Sequence, residues 1–334
     1  MASQRSVCTK TFKLNNGYEM PAVGLGTFQG APGTEDEKAL VESISHALKS
    51  GYRLIDTAQA YGVESAVGKA VRASGVPRSE IMVVTKFLRD RQQDPAEALR
   101  ISLRELDLDY VDLFLLHWPW ATSSGKPLRP HESPTFVETW KSMEKLVGSQ
   151  CKAIGVSNFT QKTLDTLLES ATIVPAVNQI ELHALYPNLK LVPYCQSKGI
   201  HVMAWRTVGA AGQDNKVFPT NQYNNVLLTH PLFTEIAKAH DCSAGVVSLS
   251  WAVQRGTTVI PKSSNKSRIE ENIRLVTLSD DEMAKINSAH ETIMKFRLAD
   301  HIPVLQAEID GEKTLMGWST VDFGWDDEQG NWLT

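Results

Sequence analysis

Ile81-Met82-Val83-Val84-Thr85-Lys86, then Pro95-Ala96-Glu97-Ala98-Leu99-Arg100-Ile101-Ser102-Leu103-Arg104-Glu105-Leu106, then Val111-Asp112-Leu113-Phe114-Leu115-Leu116-His117 decide how this chain folds. The first is a short, β-branched apolar run. The second carries its apolar residues at helical spacing, and the third is again short and apolar. Strand, helix and strand in succession predict two parallel strands joined by a right-handed crossover.

The alternation continues in both directions. Upstream, Glu64 to Ala73 reads as a helix, Leu54 to Asp56 as a strand, about Glu35 to Lys49 as a helix and Ala22 to Gly26 as a strand. Before them, Thr11 to Leu14 and Tyr18 to Pro21 flank Asn15-Asn16-Gly17, the signature of a hairpin over residues 10–21. Downstream, strands are expected at Ala153 to Val156, Ala176 to Ile180, His201 to Trp205 and Thr257 to Ile260. Between and beyond them, helices are expected at Phe136 to Val147, Thr160 to Glu169, Asn188 to Ser197, His230 to Ala239, Ala244 to Gln254, Arg268 to Leu275 and Asp280 to Ala289. A loop from Ser123 to Ser133 and a tail from about Lys295 complete the chain. Eight such strands suit an α/β chain folded as a single (β/α)8 TIM barrel over residues 1–334, because such barrels exceed the usual domain length.

Composition narrows the function. The chain has 334 residues, 42% apolar and 22% charged, close to an ordinary globular protein. A formal charge of −4 with no basic, aromatic-rich stripe argues against nucleic acid. No apolar run approaches the length that spans a bilayer, and the N-terminus lacks a secretory pattern. Cys8, Cys151, Cys195 and Cys242 lie far apart, which excludes a C-x-x-C zinc cluster and disfavours a disulfide framework. A cytoplasmic protein is expected.

The polar residues fall at strand ends. Asp56 closes the second strand, Lys86 the third and His117 the fourth. Ser157-Asn158 closes the fifth, Gln179 the sixth and Trp205 the seventh, while Lys262-Ser263 follows the eighth. In a barrel these ends meet at one mouth, where active sites are built. Loops alone account for one or two such residues, not for one after nearly every strand. The set holds no metal triad, no H-E-x-x-H and no G-x-S-x-G elbow. With Tyr61 it suits proton transfer to a carbonyl. A tyrosine has an ordinary pKa near 10, a neighbouring Lys86 ammonium favours its phenolate, Asp56 holds the ammonium, and His117 orients the carbonyl oxygen. Such chemistry needs a hydride source.

These residues resemble the aldo-keto reductases. The likeness runs from the hairpin to the helix after Asp280. It rests on Gly24-Leu25-Gly26-Thr27-Phe28, Arg53-Leu54-Ile55-Asp56-Thr57-Ala58-Gln59-Ala60-Tyr61-Gly62, Thr85-Lys86 and Leu116-His117-Trp118-Pro119. Gly155-Val156-Ser157-Asn158-Phe159, Val177-Asn178-Gln179 and Ile260-Pro261-Lys262-Ser263 complete it. The resemblance implies that Tyr61 is the general acid, tuned by Lys86 and Asp56, with His117 positioning the substrate. It also implies a nicotinamide carboxamide held by Ser157, Asn158 and Gln179. Trp205 stands where the family usually stacks a tyrosine. Thr27 and Asp56, and Lys262, Ser263, Asn265, Arg268, Glu271 and Asn272 near the adenosine end, are further implied cofactor contacts.

The chain departs from the family in reading Arg206-Thr207-Val208-Gly209 where Ser-Pro-Leu-Gly is common. Arg206 then replaces the usual pyrophosphate contacts with a charge-assisted one. Lys262 and Arg268 near a helix start favour the 2′-phosphate of NADPH/NADP+ over NADH. Phe28, Tyr61, Leu88, His117, Trp118 and Trp120 are expected to line the substrate pocket. The tail over 295–334, rich in aromatics but without helical or strand period, is expected to fold over the mouth. The expected partner is a small carbonyl compound, with no nucleic acid and no membrane. Rival readings are a cofactor-binding regulatory subunit and a Schiff-base barrel enzyme. G-x-G-x-x-G fails at Gln29, and Tyr194-x-x-x-Lys198 lacks a glycine-rich partner.

Overall fold

The computed structural model describes residues 5–28, 37–209, 225–301, 305–309 and 311–333. The apolar runs become strands that lie side by side in chain order. Leu25–Gly26, Leu54–Asp56, Met82–Phe87, Leu113–Leu116, Ile154–Ser157, Val177–Glu181, His201–Trp205 and Thr258–Val259 form one parallel sheet in that sequence. The ring closes where Val23 bridges Val259 in parallel, with Gly24 donating to the Val259 carbonyl at 2.8 Å. A Cβ on Gly26 would stand 2.7 Å from the Ile260 carbonyl oxygen, so glycine permits the first and last strands to meet. The expected barrel is the observed one.

Helices cover the outside, and most bury one stripe, while Ala244–Gln254 is buried nearly all round. Pro95–Leu106 shows why its sequence is helical. Asp94 caps it by accepting from the Glu97 amide at 2.9 Å, proline opens the first turn, and left-handed Asp107 ends it. Its face of Ala98, Leu99, Ser102, Leu103 and Leu106 is buried. Inside the barrel, Leu54, Val84, Leu113, Leu115, Val177 and Met203 pack together. Leu14 and Met20 join this inner cluster from the N-terminal hairpin, whose strands are Thr11–Lys13 and Glu19–Pro21. Phe12 of that hairpin lies 4.9 Å from the His201 ring, centroid to centroid.

Burial pushes the His201 imidazole down to about 4. The unfolded chain therefore binds a proton below about pH 6.5 that the folded chain refuses until about 4, so this residue costs stability as pH falls through that window. His201→Asn is expected to flatten the acid limb of a melting-temperature profile. The limiting slope is about 1.4 kcal/mol per pH unit, and partial exposure reduces it. Identical profiles would reject this assignment.

Three stretches differ from their sequence reading. The third strand runs on to Phe87, so Lys86 lies within it and not after it. The loop beyond His117 forms a two-rung hairpin, Thr122–Ser123 with Lys126–Pro127. The tail is ordered by regular elements after all, with a hairpin of Gln306–Ile309 and Glu312–Leu315 and a helical turn, Thr320–Phe323. Among the described residues, no helix is long and apolar enough to cross a membrane.

Candidate active site

Side chains from the second, third, fourth and sixth strands build the centre. Lys86 is wholly buried on the third strand, and its Nζ donates to both carboxylate oxygens of Asp56, at 2.8 and 2.9 Å. A third bond goes to the Thr57 carbonyl at 2.8 Å. Burial disfavours the ammonium, but Asp56 and Tyr61 together hold the lysine above its ordinary value. Gln179 on the sixth strand donates to Asp56 Oδ2 at 2.7 Å, so the carboxylate is fixed from two sides.

Tyr61 ends a single 3₁₀ turn, Gln59–Tyr61, that stops at left-handed Gly62. Its ring centroid is 5.0 Å from the Lys86 Nζ, within reach of the ammonium's charge. Burial raises the phenol above its ordinary value and Lys86 pulls it back only in part. The net direction is thus upward, opposite to the effect of the ammonium alone, and the phenol keeps its proton at neutral pH. His117 meets Tyr61 edge to face at 6.0 Å. Burial, then Lys86 and Arg89, press its imidazole well below the usual range, so it is neutral near pH 7.

The neighbouring polar residues hold one another. Asn158, at a left-handed φ of 63°, donates to the His117 carbonyl at 3.0 Å and to Ser157 Oγ at 3.1 Å. Its amide oxygen accepts from the Trp205 indole at 3.0 Å. One side chain therefore ties the fourth, fifth and seventh strands. Ser157 Oγ donates to the Gln179 carbonyl at 2.8 Å. Thr27 is buried and bonds the Asp56 carbonyl. Arg206, at a φ of 62°, lies within electrostatic reach of Glu181 and Tyr61, and burial lowers its guanidinium to about 10.

Farther along the rim, Asn265 caps the helix Lys266–Asn272 by accepting from the Arg268 amide at 3.0 Å. Arg268 is exposed, and its Nε reaches Ser263 Oγ at 3.5 Å. Glu271 accepts from the Ser243 amide at 2.9 Å and pairs with Arg5, while Lys262 and Asn272 are half-buried nearby.

Phe28 packs edge-on to Tyr61 at 5.0 Å, and Leu88 is half-buried. Trp118 stacks on Trp120 at 4.1 Å. Trp120 itself is wholly buried, so it backs the wall through Trp118. The tail joins them, since Trp325 meets Trp118 at 6.4 Å and Phe323 meets Trp120 at 5.2 Å.

Sequence reading missed what fastens that tail. Glu181, buried at the end of the sixth strand, accepts from the Leu298 and Ala299 amides at 2.6 and 3.2 Å. Arg297 makes a two-pronged ion pair with Asp326, both bonds 3.1 Å, beneath the Trp325 ring. Only the position of Glu181 at a strand end hinted at a role.

Comparison with known proteins agrees with the geometry. The pattern of the Aldo/keto reductase family matches residues 22–291. Glycerol 2-dehydrogenase (NADP(+)) of Saccharomyces cerevisiae is 38% identical over 84% of this chain and 90% of its own. D-galacturonate reductase of Hypocrea jecorina is 40% identical over 83% and 89%. The aldo-keto reductase of Bombyx mori, solved in complex with NADP, superposes with a TM-score of 0.75 at 33% identity, covering 87% of this chain and 99% of that one. With its closed barrel, its strand-end tetrad and these matches, the chain belongs to the aldo/keto reductase family.

Proposed function

We propose that the protein reduces an aldehyde or ketone to an alcohol with NADPH, and that Tyr61 is the general acid. One observation carries the reading: a buried ammonium, Lys86, is bonded to both oxygens of Asp56 and stands 5.0 Å from the centre of the Tyr61 ring, where its charge acts on the phenol. A structural ion pair has no need of a tyrosine beside it. When bound, the cofactor supplies the hydride.

The rest falls to the chain. The neutral His117 imidazole orients the carbonyl oxygen towards Tyr61. Tyr61 gives that oxygen its proton, and the Lys86 ammonium stabilises the phenolate left behind. Asp56 keeps the ammonium in place. A drained, aromatic setting of Phe28, Leu88, Trp118 and Trp120 strengthens each of these charge effects.

The residues fit a dinucleotide. The amide nitrogen of Gln179 is spent on Asp56 and on Met203 Sδ at 3.9 Å, which leaves its amide oxygen as the group to accept from a carboxamide. Asn158, bonded to Ser157, holds Trp205 and the His117 carbonyl beside it. Thr27, Asp56, Arg206 and Ser263 continue the contact set, with Asn265, Glu271 and Asn272 at the adenosine end. Lys262 and Arg268 supply two cations for a 2′-phosphate, in line with the NADP named for two of the relatives. Arg268→Ala is expected to weaken NADPH binding roughly ten-fold or more while NADH changes little, since a charged hydrogen bond is worth about 1.5–3 kcal/mol. Equal loss for both cofactors, read by fluorescence titration, would assign Arg268 to the fold alone.

We take residues 1–334 as one working unit. The four unpaired cysteines, two of them buried, suit a reducing cell interior such as the cytoplasm. Absorbance loss of NADPH against a panel of aldehydes, sugars and ketones tests the activity. No turnover across the panel, despite tight NADPH binding, would point to a cofactor-binding regulatory subunit.

A further inference from the structure

The segment that carries Tyr61 is pinned at both ends by side chains outside the tetrad. At the front, Gln59 donates to the Ala98 carbonyl at 2.7 Å and to Ser102 Oγ at 3.0 Å. Its amide oxygen accepts from the Leu88 amide at 3.2 Å, two residues beyond Lys86. At the back, Glu64 is a buried carboxylate, 5% exposed, that opens the helix Glu64–Ala73. It accepts from Thr85 Oγ1 at 2.6 Å, and the Ser102 hydroxyl lies near enough to favour its charged form.

Two features make this more than helix packing. Ser102, wholly buried on the helix Pro95–Leu106, serves both pins. Ala98 and Ser102 lie four residues apart, on one face of that helix. Thr85 is the neighbour of Lys86 in the third strand. The bond from Thr85 to Glu64 therefore links the residue before the ammonium to the segment that bears the phenol. Gln59, Ser102, Glu64 and Thr85 thus form one cluster behind Tyr61 and Lys86.

A buried carboxylate with no cationic partner in hydrogen-bond contact is costly, and burial raises its pKa. A fold that needed only volume here would do as well with an apolar residue. We propose that Gln59, Ser102, Glu64 and Thr85 are positioning residues for proton delivery, holding the Tyr61 hydroxyl against the Lys86 ammonium. The inference rests on Tyr61 being the acid.

The test compares Thr85→Val and Gln59→Leu with Thr85→Ser, which keeps the hydroxyl. Single turnovers with enzyme in excess over NADPH, and benzaldehyde or glyceraldehyde as substrate, give a rate constant per folded, loaded enzyme. Melting temperature and NADPH affinity are read beside it. A misplacement of about 1 Å costs up to about a hundred-fold in rate. Both disrupting variants are expected to slow that rate constant ten-fold or more, with NADPH affinity within two-fold of the wild type. Thr85→Ser is expected to recover most of the rate. A merely structural role would lower the amplitude and the melting temperature and leave the rate constant alone. Rate constants within two-fold of wild type, or Thr85→Ser as slow as Thr85→Val, would overturn the proposal. If Thr85→Val does not fold, Gln59→Leu carries the test, because that side chain is half-exposed. Tyr61→Phe is the control. Should it retain turnover, the assignment of the acid fails, whereas its inactivity beside normal Thr85→Val and Gln59→Leu defeats only the positioning role.

Discussion

Tyr61→Phe is expected to lose between about a hundred-fold and ten thousand-fold of its reductase rate, the usual worth of general acid catalysis. The change removes one oxygen and keeps the ring, so the contacts with Phe28 at 5.0 Å and His117 at 6.0 Å survive. The change leaves Lys86 its bonds to the two Asp56 oxygens and the Thr57 carbonyl. The ammonium is therefore still satisfied, and the fold is expected to melt within a few degrees of the wild type. NADPH affinity is expected to stay within two-fold, read by fluorescence titration. A variant that keeps more than about a tenth of wild-type turnover would show that the proton comes from elsewhere.

The second large effect belongs to the tail. Asp326→Ala strands the Arg297 guanidinium without its carboxylate, in a place where the arginine is 3% exposed. Breaking a buried pair by removing one partner costs about 3–5 kcal/mol. The melting temperature is expected to fall by several degrees, and KM for the carbonyl substrate to rise, because Trp325 stands between the pair and Trp118. The joint change Arg297→Met with Asp326→Leu restores an apolar fit and is expected to recover most of the stability. If Asp326→Ala melts like the wild type, the pair is not what holds the tail. Cutting the chain after Arg297 is a harsher step. It removes Trp318, Phe323 and Trp325, all buried, and is expected to destabilise the fold as well as alter substrate choice.

The barrel was legible because strand and helix repeat with different periods, and residues such as Val83, Val84, Leu103 and Leu115 obey them. Asp56, Lys86 and His117 were legible because each sits where an apolar run stops, and Tyr61 because it follows Asp56 in the matched segment. Lys86 shows the limit of that rule. Its charge reads as the end of a strand, yet the strand continues to Phe87, because Asp56 supplies the counter-charge that lets a lysine be buried. Tail order was hidden for a different reason. Its strands are four residues each and its aromatics are fixed by Trp118, Trp120 and Phe136, all more than 180 residues earlier. No local period records such contacts. Gln59 and Glu64 were hidden in the same way, since their partners lie on a helix and a strand that only the fold brings near. The phenol of Tyr61 was misjudged in direction, because sequence shows its neighbouring charge and not its burial.

Glu181 grips the start of the tail by the backbone amides of Leu298 and Ala299. An amide hydrogen is offered by every residue but proline, so this grip is blind to the side chains it holds. The grip itself therefore survives a change of side chain at residues 298 and 299, so long as neither becomes proline, while their burial still asks for a side chain that fits. Variants of the segment that follows are expected to alter substrate preference without touching the hinge on which it hangs. A library that varies the tail is best begun beyond residue 299, with Glu181, Arg297 and Asp326 left in place.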